Sequence, residues 1–373
     1  MIKKKKINKI DIIDKINIVD KINIVDKIKK DDIIDKIKKD DIVDKIKKIK
    51  KDDIVDKIKK IKKDDIVDKI KKIDKIKKIK KIIITGGGIN GISILGAINE
   101  FFNNYSYEYI TDILCVSVGS IIGMLFVIGY TSDEIKNIFM EIRLNEFTDY
   151  KIKTFINLWG LDNGVKSKNL LKAMLKNKNI NQNITFKELY EKTNKNLIIT
   201  GTNLTLKKAE YFNYKTYPEM KIVDAIRISC CYPVVFTPIK YNNCYYVDGG
   251  VLASYPIEYF CNDNCNDNCN DNCNDNCNII NDDVLGFVID YVDEKDNISN
   301  IDSIQSYYLT LFSSIIEKYE YTTICKYRKN TVIINKKNIF NQAMEFIISD
   351  SEKNKLYKLG IKSLKEYLLF NNI

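Results

Sequence analysis

The chain has 373 residues and no histidine, with 61 basic and 50 acidic side chains and a formal net charge of +11 at pH 7. The first 81 residues contain 31 lysines and 17 aspartates, a net charge of +14, so the remaining residues carry −3. The basic charge belongs to the N-terminal segment, and it gives no reason to expect that the rest binds nucleic acid. Because no imidazole is present, any nucleophilic serine must be activated by another base.

The basic segment is a low-complexity repeat. The unit Asp-Asp-Ile-Val-Asp-Lys-Ile-Lys-Lys-Ile-Lys-Lys recurs from Asp40, Asp52 and Asp64. Its isoleucines follow helical spacing, but a period of 12 residues turns the apolar stripe by about 120° at each repeat, which disfavours a long coiled coil. We expect residues 1–81 to form a solvated, partly helical tail. A basic amphipathic arm lying on anionic membrane is the alternative.

After the tail, predicted strands and helices alternate along the chain. Strands are predicted at residues 81–85, 110–116, 196–202, 244–247, 284–289 and 331–335. Helices are predicted at residues 91–102, 117–129, 132–144, 167–176, 223–229, 303–319 and 351–369. This alternation predicts an α/β fold, a three-layer α/β/α arrangement with a mainly parallel central sheet.

A second repeat, Cys-Asn-Asp-Asn, runs from Cys261 to Asn278 and contains five of the ten cysteines. Cysteine at every fourth position could gather a soft metal on one helical face, but Asn and Asp are poor helix formers. We interpret the repeat as a loop insertion, at about residues 260–278, within one domain formed by residues 82–373. The other five cysteines have no framework spacing, which indicates reduced thiols in an intracellular protein: Cys115, Cys230, Cys231, Cys244 and Cys325.

The N-terminus is charged throughout and shows no secretory signal. The one apolar run that approaches the length of a membrane span, residues 113–129, has Gly and Ser in its middle and is at the lower limit for crossing a bilayer. We interpret it as a buried strand followed by a buried helix. The sequence therefore predicts an intracellular protein, cytoplasmic or peripheral at membranes, with no signal peptide or transmembrane helix.

A glycine-rich loop follows the first predicted strand: Thr85-Gly86-Gly87-Gly88-Ile89-Asn90-Gly91. Consecutive glycines allow a tight turn that directs several amide N–H groups into one space, and the helix that begins here adds positive potential. The loop therefore predicts an anion site. Two anions fit the pattern, a dinucleotide pyrophosphate and the oxyanion of an acyl-transfer intermediate.

The second predicted strand ends in Cys115-Val116-Ser117-Val118-Gly119. A dinucleotide-binding fold needs an acidic residue at the end of this strand, and Ser117 stands near that place. A serine on a sharp strand-to-helix turn is typical of a nucleophile elbow, with the pattern G-x-S-x-G. Cys115 replaces the first glycine of that pattern and is small enough to allow close packing. A serine that only caps the helix is the alternative.

The third motif is Tyr245-Tyr246-Val247-Asp248-Gly249-Gly250, a strand that ends in Asp and two glycines. Asp-Gly is also a common turn dipeptide. However, Ser117 needs a base, and a desolvated carboxylate within hydrogen-bond reach can act as one. Lys240 would provide the other option, a Ser-Lys pair.

In this order, the three motifs resemble the patatin-like phospholipases. The segments between them agree with the resemblance, including residues 199–204, 210–212 and 224–229 together with Pro233, Phe236, Pro238, Pro256 and Ile257. The resemblance covers roughly residues 82–370 and leaves out both repeats. It departs at Cys115, where the family usually has Gly, and at Asn90, where it usually has Arg or Lys.

The resemblance implies a patatin-like fold and a lipid acyl hydrolase of phospholipase A or lysophospholipase type. It makes Ser117 the nucleophile, Asp248 the base, and the amides of Gly86, Gly87 and Gly88 the oxyanion hole. It requires no metal and no cofactor, and its partners are a lipid substrate and, transiently, a membrane surface, with no nucleic acid. Asn90 removes a positive charge near the oxyanion site, so a catalytically weak protein that binds lipid without turnover is the alternative. A nucleotide-binding protein that uses the glycine loop is the third interpretation.

Overall fold

The computed structural model describes residues 79–143, 148–261, 280–292, 307, 310, 311, 314, 320–337 and 348–371. All of them belong to the second of the two units into which the chain divides, Ile70–Ile373. Three predicted features lie wholly or mostly outside the described residues: the N-terminal tail, the Cys-Asn-Asp-Asn repeat and the helix at residues 303–319. The cysteines within the described residues are free thiols, as the sequence predicts.

Ten strands form two sheets in the described residues. The large sheet contains β1 (Lys81–Ile84), β2 (Asp112–Cys115), β4 (Asn196–Asn203), β5 (Lys208–Phe212), β7 (Ile239–Tyr241), β8 (Cys244–Asp248), β9 (Val284–Val292) and β10 (Thr331–Lys337). The small sheet pairs β3 (Gly160–Asp162) with β6 (Val234–Phe236) in parallel.

The large sheet has the order β10-β9-β1-β2-β4-β8-β7, and β5 pairs with β4 off this path. The first five strands of that order run parallel to one another. Strands β5, β7 and β8 are antiparallel to their neighbours. The predicted mainly parallel sheet is therefore confirmed, with an antiparallel extension beyond β4.

Both faces of the large sheet are covered. Successive side chains of its central strands point to opposite faces, and they enter two different cores. Ile82, Ile113 and Leu197 belong to one buried cluster. Their neighbours Ile83, Leu114 and Ile198 belong to another. The strands are buried on both faces, as expected for parallel strands in a three-layer α/β/α fold.

Nine α-helices with defined ends accompany these strands in the described residues, and residues 320–326 are also helical. They are α1 (Gly91–Asn104), α2 (Val118–Val127), α3 (Ser132–Glu141), α4 (Ile152–Leu158), α5 (Val165–Asn177), α6 (Phe186–Thr193), α7 (Ile222–Ser229), α8 (Gly250–Ala253) and α9 (Asp350–Phe370). All six predicted strands are present, and so are the six predicted helices that fall on described residues.

The sequence prediction missed α4, α6, α8 and the short strands β3, β5, β6 and β7. Helix α6 carries a readable signal, since Thr185 and Glu188 form a capping box at its N-terminus. The four strands contain only three to five residues each. Such short strands form when the neighbouring strand is in place, and their own hydrophobic pattern is too brief to reveal them.

The topology of β4 brings two distant chain segments together. Ile199 of β4 pairs with Cys115 of β2 and also with Phe212 of β5, so β2 and β5 lie on opposite edges of β4. Gly201 pairs with Glu210 of β5 and with Asp248 of β8, so β8 lies opposite β5 as well. Strands β2 and β8 therefore occupy successive parts of the same edge, and because they run in opposite directions, their C-terminal ends face each other.

Helices α1 and α9 pack at backbone contact through glycines. A Cβ atom added at Gly360 of α9 would lie 1.8 Å from the carbonyl oxygen of Ser93 in α1. A Cβ atom added at Gly96 of α1 would lie 2.1 Å from the carbonyl oxygen of Tyr357 in α9. No side chain fits at either position unless the two helices move apart.

We expect Gly360→Ala to lower the free energy of unfolding by roughly 1–3 kcal/mol through overpacking. Intrinsic helix propensity alone would change the free energy of unfolding in the opposite direction, since it favours alanine over glycine by about 1 kcal/mol. Urea denaturation midpoints measure the change, and Lys362→Ala on the exposed face of the same helix is the control. An unchanged midpoint in Gly360→Ala would show that the two helices are not in backbone contact.

Candidate active site

Ser117 and Asp248 form a hydrogen-bonded pair at the meeting point of β2 and β8. Ser117 Oγ donates to Asp248 Oδ2 at 2.7 Å, although the residues are 131 positions apart. Asp248 is the last residue of β8, and Ser117 stands two residues beyond the end of β2. The contact therefore follows from the arrangement of both strands along one edge of β4.

Ser117 occupies a sharp turn between β2 and α2. Its backbone angles are φ 51° and ψ −128°, a conformation that non-glycine residues rarely adopt. The turn is held by neighbours: the Ser117 amide donates to Ser229 Oγ at 2.9 Å, and the Ser120 amide donates to the Ser117 carbonyl at 2.8 Å. Gly119 permits the tight turn, because a Cβ atom there would lie 2.3 Å from the carbonyl oxygen of Ile84. These are the features of a nucleophile elbow.

Cys115 fits the elbow although it replaces the usual glycine. Its side chain is fully buried, and its sulfur fills the space left by Gly123 of α2, where an added Cβ atom would lie 2.4 Å from Sγ. Burial raises the pKa of the Cys115 thiol well above its usual range. The residue therefore packs as a small neutral side chain, and Ser117 keeps its strained conformation beside it.

Asp248 is a buried carboxyl, with 3% of its surface exposed. Burial raises its pKa to about 7, while hydrogen bonds from Ser117 and from the Gly250 amide partly oppose that rise. The Gly250 amide donates to Oδ1 at 2.8 Å and leaves Oδ2 to accept from Ser117. A carboxylate with a pKa near neutrality can accept a proton from a hydroxyl nucleophile and return it.

The other base that the sequence suggested does not contact the serine. Lys240 is exposed on β7, and its ammonium lies 5.8 Å from the centre of the Tyr245 ring. Asp248 is the residue that accepts the Ser117 hydrogen bond. The geometry therefore favours a Ser-Asp pair over a Ser-Lys pair.

The glycine loop lies directly against the serine. A Cβ atom added at Gly86 would lie 3.0 Å from Ser117 Cβ and 3.7 Å from Ser117 Oγ. Gly87 and Gly88 have positive φ angles of 132° and 55°, which glycine adopts without strain. Residues Gly88–Asn90 then form a single 3₁₀ turn before α1. The loop thus places its backbone beside Ser117 at the N-terminal end of a helix, a position that favours an anion.

A lysine that is distant in sequence contacts the same loop. Lys336 of β10 donates a hydrogen bond from Nζ to Asn90 Oδ1 at 2.7 Å, and both residues are buried. Asn90 stands where the family usually has a positively charged Arg or Lys. The structure brings a buried ammonium to Asn90 from a residue 246 positions away, and no local pattern could have revealed it.

The loop, Ser117 and Asp248 line one cavity of about 300 Å³. Its walls are mostly aliphatic and aromatic, and they include Phe139, Leu170, Leu171, Met174, Phe236 and Ile289. Arg227 also lines it; its guanidinium packs 5.0 Å from the Phe236 ring and donates to the Asn163 carbonyl. The site therefore combines a polar pair at one point with a space suited to an apolar group.

The chain is similar to one known protein family and to several known proteins. Residues 82–261 match the model of the patatin-like phospholipase family. The uncharacterised protein R571 of Acanthamoeba polyphaga mimivirus is 31% identical over 305 residues, which cover 78% of this chain and 94% of that protein. The chain belongs to the patatin-like phospholipase family. The resemblance inferred from the sequence motifs is thereby confirmed, and at family level the chain is related to lipid hydrolases.

One further relative and one solved structure are also similar to this chain. A protein of invertebrate iridescent virus 6 described as probable lipid hydrolase 463L is 35% identical over 190 residues, which cover 49% of this chain and 64% of that protein. The crystal structure of VipD from Legionella pneumophila superposes with a TM-score of 0.50 at 15% identity, covering 79% of this chain and 67% of VipD. At that identity the VipD comparison bears on the fold alone. Among the residues that the structure describes, no helix has the length and apolarity needed to cross a membrane.

The buried Asp248 should reduce stability at neutral pH. Its folded pKa is raised above that of an unfolded aspartate, so the unfolded state binds fewer protons between about pH 4 and 7, and stability falls as pH rises through that window. We expect Asp248→Asn to be more stable than the wild type above pH 7, by on the order of a few kcal/mol, and the difference to disappear near pH 4.

Thermal melting between pH 4 and 9 measures this effect. Asp282→Asn, at an exposed aspartate, is the control and should follow the wild type. A constant difference between Asp248→Asn and the wild type across the whole range would contradict a raised pKa at Asp248.

Proposed function

We propose that this protein is a lipid acyl hydrolase of phospholipase A or lysophospholipase type that acts through a Ser117–Asp248 dyad. The observation that carries the proposal is the 2.7 Å hydrogen bond between Ser117 Oγ and a buried carboxylate in a chain without histidine. The apolar cavity beside the pair supports a substrate with a hydrocarbon chain. Family membership supports the same class of reaction.

In the proposed reaction, Asp248 takes the proton of Ser117 as Oγ attacks the carbonyl carbon of an ester. The tetrahedral intermediate collapses, the alcohol leaves with the proton from Asp248, and an acyl-serine remains. Asp248 then removes a proton from water, which attacks the acyl-serine. As the bond to Ser117 Oγ breaks and the fatty acid leaves, Asp248 returns the proton to Oγ. A pKa near 7 suits Asp248 to both directions of proton transfer.

The amides of Gly86, Gly87 and Gly88 are the proposed oxyanion hole. Support comes from the close approach of this loop to Ser117 and from its position before α1. Lys336 would stabilise the oxyanion from a longer distance, because its buried ammonium adds positive potential near the loop. Its hydrogen bond to Asn90 would also hold the turn of the loop in place. On this proposal the charge that Asn90 lacks is supplied by β10, and turnover is retained.

Residues 82–373 are proposed as the hydrolase domain, with residues 1–81 and the Cys-Asn-Asp-Asn insertion dispensable for chemistry. The acyl group is assigned to the apolar cavity. Incubating the wild type with labelled phospholipids, lysophospholipids and neutral glycerides, beside Ser117→Ala, identifies the ester and the acyl position.

Ser117→Ala should abolish labelling by a fluorophosphonate probe and lower fatty-acid release by a factor of 10³ or more, because the nucleophile is lost. Ser254→Ala, at another serine that lines the cavity, is the matched control and should keep both. If the wild type reacts with the probe no more than Ser117→Ala does, the alternative holds, that the protein binds lipid without turnover.

The pH dependence of kcat/KM should report Asp248. Because the carboxyl must be ionised to accept the Ser117 proton, kcat/KM for a soluble ester should rise with pH and level off above an apparent pKa of about 7. Initial rates between pH 5 and 9 measure the profile. Asp248→Asn should remove both the activity and the ascending limb; an unchanged profile in that variant would assign the base to another group.

A further inference from the structure

Helix α4 presents an apolar face to solvent. Ile152, Phe155 and Ile156 follow the spacing i, i+3, i+4 of one helical stripe, and Trp159 caps the C-terminal end of the helix. These four side chains are 75%, 40%, 70% and 61% exposed. No residue of the helix is buried. A stripe of this kind is ordinarily turned toward a protein core, because exposed apolar area raises the free energy in water. Among the residues that the structure describes, this stripe faces no core.

The exposed apolar area continues from α4 onto the large sheet. The Trp159 ring lies 5.8 Å from the ring of Tyr245 in β8, at an angle of 61°. The Leu204 amide donates to the Tyr245 carbonyl at 2.8 Å, which fixes the β4–β5 turn beside Tyr245. Leu204 and Leu206 of that turn are 46% and 55% exposed. We call this group of exposed apolar side chains the α4 patch: Ile152, Phe155, Ile156, Trp159, Leu204, Leu206 and Tyr245.

Lysines interrupt and border the α4 patch. Lys153 is exposed within α4, Lys207 is exposed at the β4–β5 turn, and Lys240 lies over the Tyr245 ring. The acidic groups in these segments are balanced: Asp149 pairs with Lys151 at 2.6 Å, and Glu210, which is nearly buried, pairs with Lys208 at 3.3 Å. Apolar side chains combined with lysines match an anionic lipid surface, where aliphatic groups enter the headgroup boundary and ammonium groups meet phosphates.

The α4 patch adjoins the cavity that holds Ser117. Thr148 lines the cavity four residues before α4, and Ser167 of α5 lines it nine residues after the end of α4. Strand β3 follows Trp159 directly, and its Asp162 pairs with Phe236, another lining residue. The segment that carries the exposed stripe is therefore anchored at both ends to the cavity wall.

We propose that the α4 patch docks onto the surface of an anionic lipid bilayer and holds the cavity against it. The docking rests on the proposed function, since it would let a lipid ester pass from the bilayer to Ser117 without crossing water. The occupant is the bilayer surface. Neither a second copy of the chain nor the N-terminal tail explains why the stripe adjoins a cavity suited to acyl chains.

Trp159 is the only tryptophan of the chain, so intrinsic fluorescence reports the α4 patch directly. Full-length Ser117→Ala protein, which leaves lipid intact, is titrated with vesicles of phosphatidylcholine containing phosphatidylserine. We expect the emission to shift to shorter wavelength and brominated lipid to quench it. The shift should be smaller with pure phosphatidylcholine and weaker at high salt.

The double variant Ile152→Ser/Ile156→Ser, in the same background, should weaken partitioning onto the vesicles at least ten-fold. Leu369→Ser, at an apolar residue that is equally exposed on α9, is the matched control and should bind as before. With Ser117 intact, the double variant should hydrolyse vesicle lipid more slowly than the wild type and a soluble short-chain ester at the same rate.

Three outcomes would overturn the docking. One is vesicle binding without a change in Trp159 emission, which would assign binding to another surface such as the tail. Another is an emission shift that depends on protein concentration without vesicles, which would mean that a second copy covers the patch. The third is equal partitioning of the double variant and its control. Lack of ester hydrolysis by the wild type, with normal vesicle binding, would refute the proposed function alone.

Discussion

The meeting of β2 and β8 along one edge of β4 is the constraint on which the site depends. Parallel strands direct their C-terminal ends toward a common edge of the sheet, where ligands usually bind. Here an antiparallel strand, β8, ends at that edge from the opposite direction, so that Asp248 reaches Ser117, two residues beyond the end of β2. Asp248 is buried at this point, and burial raises its pKa to about 7, which suits the proposed role of this carboxylate as a base.

The site brings together two groups that are unfavourable by themselves, a buried carboxyl and a serine with positive φ. Hydrogen bonds from Gly250 to Asp248 and between Ser229 and Ser117 offset part of that cost. The buried core on both sides of the sheet supplies the rest of the stability that such groups require. Lys336 belongs to the same pattern, since its burial beside Asn90 depends on β10 being paired at the sheet edge.

The parts predicted from sequence are those in which the chain signals its own local structure. The buried strands and long helices have hydrophobic patterns long enough to identify them. The glycine loop and the serine turn contain residue combinations that few other local structures need. Strands such as β3 and β6 were missed because three residues carry too little pattern. Helix α4 was missed for a different reason: its apolar spacing is helical, but it borders no predicted core.

The sequence by itself determined the family, because it carries a glycine loop, a serine turn and Asp-Gly-Gly in that order, and the absence of histidine leaves few candidate bases for Ser117. Only the tertiary structure decided that Asp248 and not Lys240 contacts Ser117, that Lys336 reaches Asn90, and that the stripe of α4 faces solvent beside the cavity. The physical reason is separation along the chain. Local patterns depend on neighbouring residues, whereas these contacts join residues up to 246 positions apart and exist once the strands have paired.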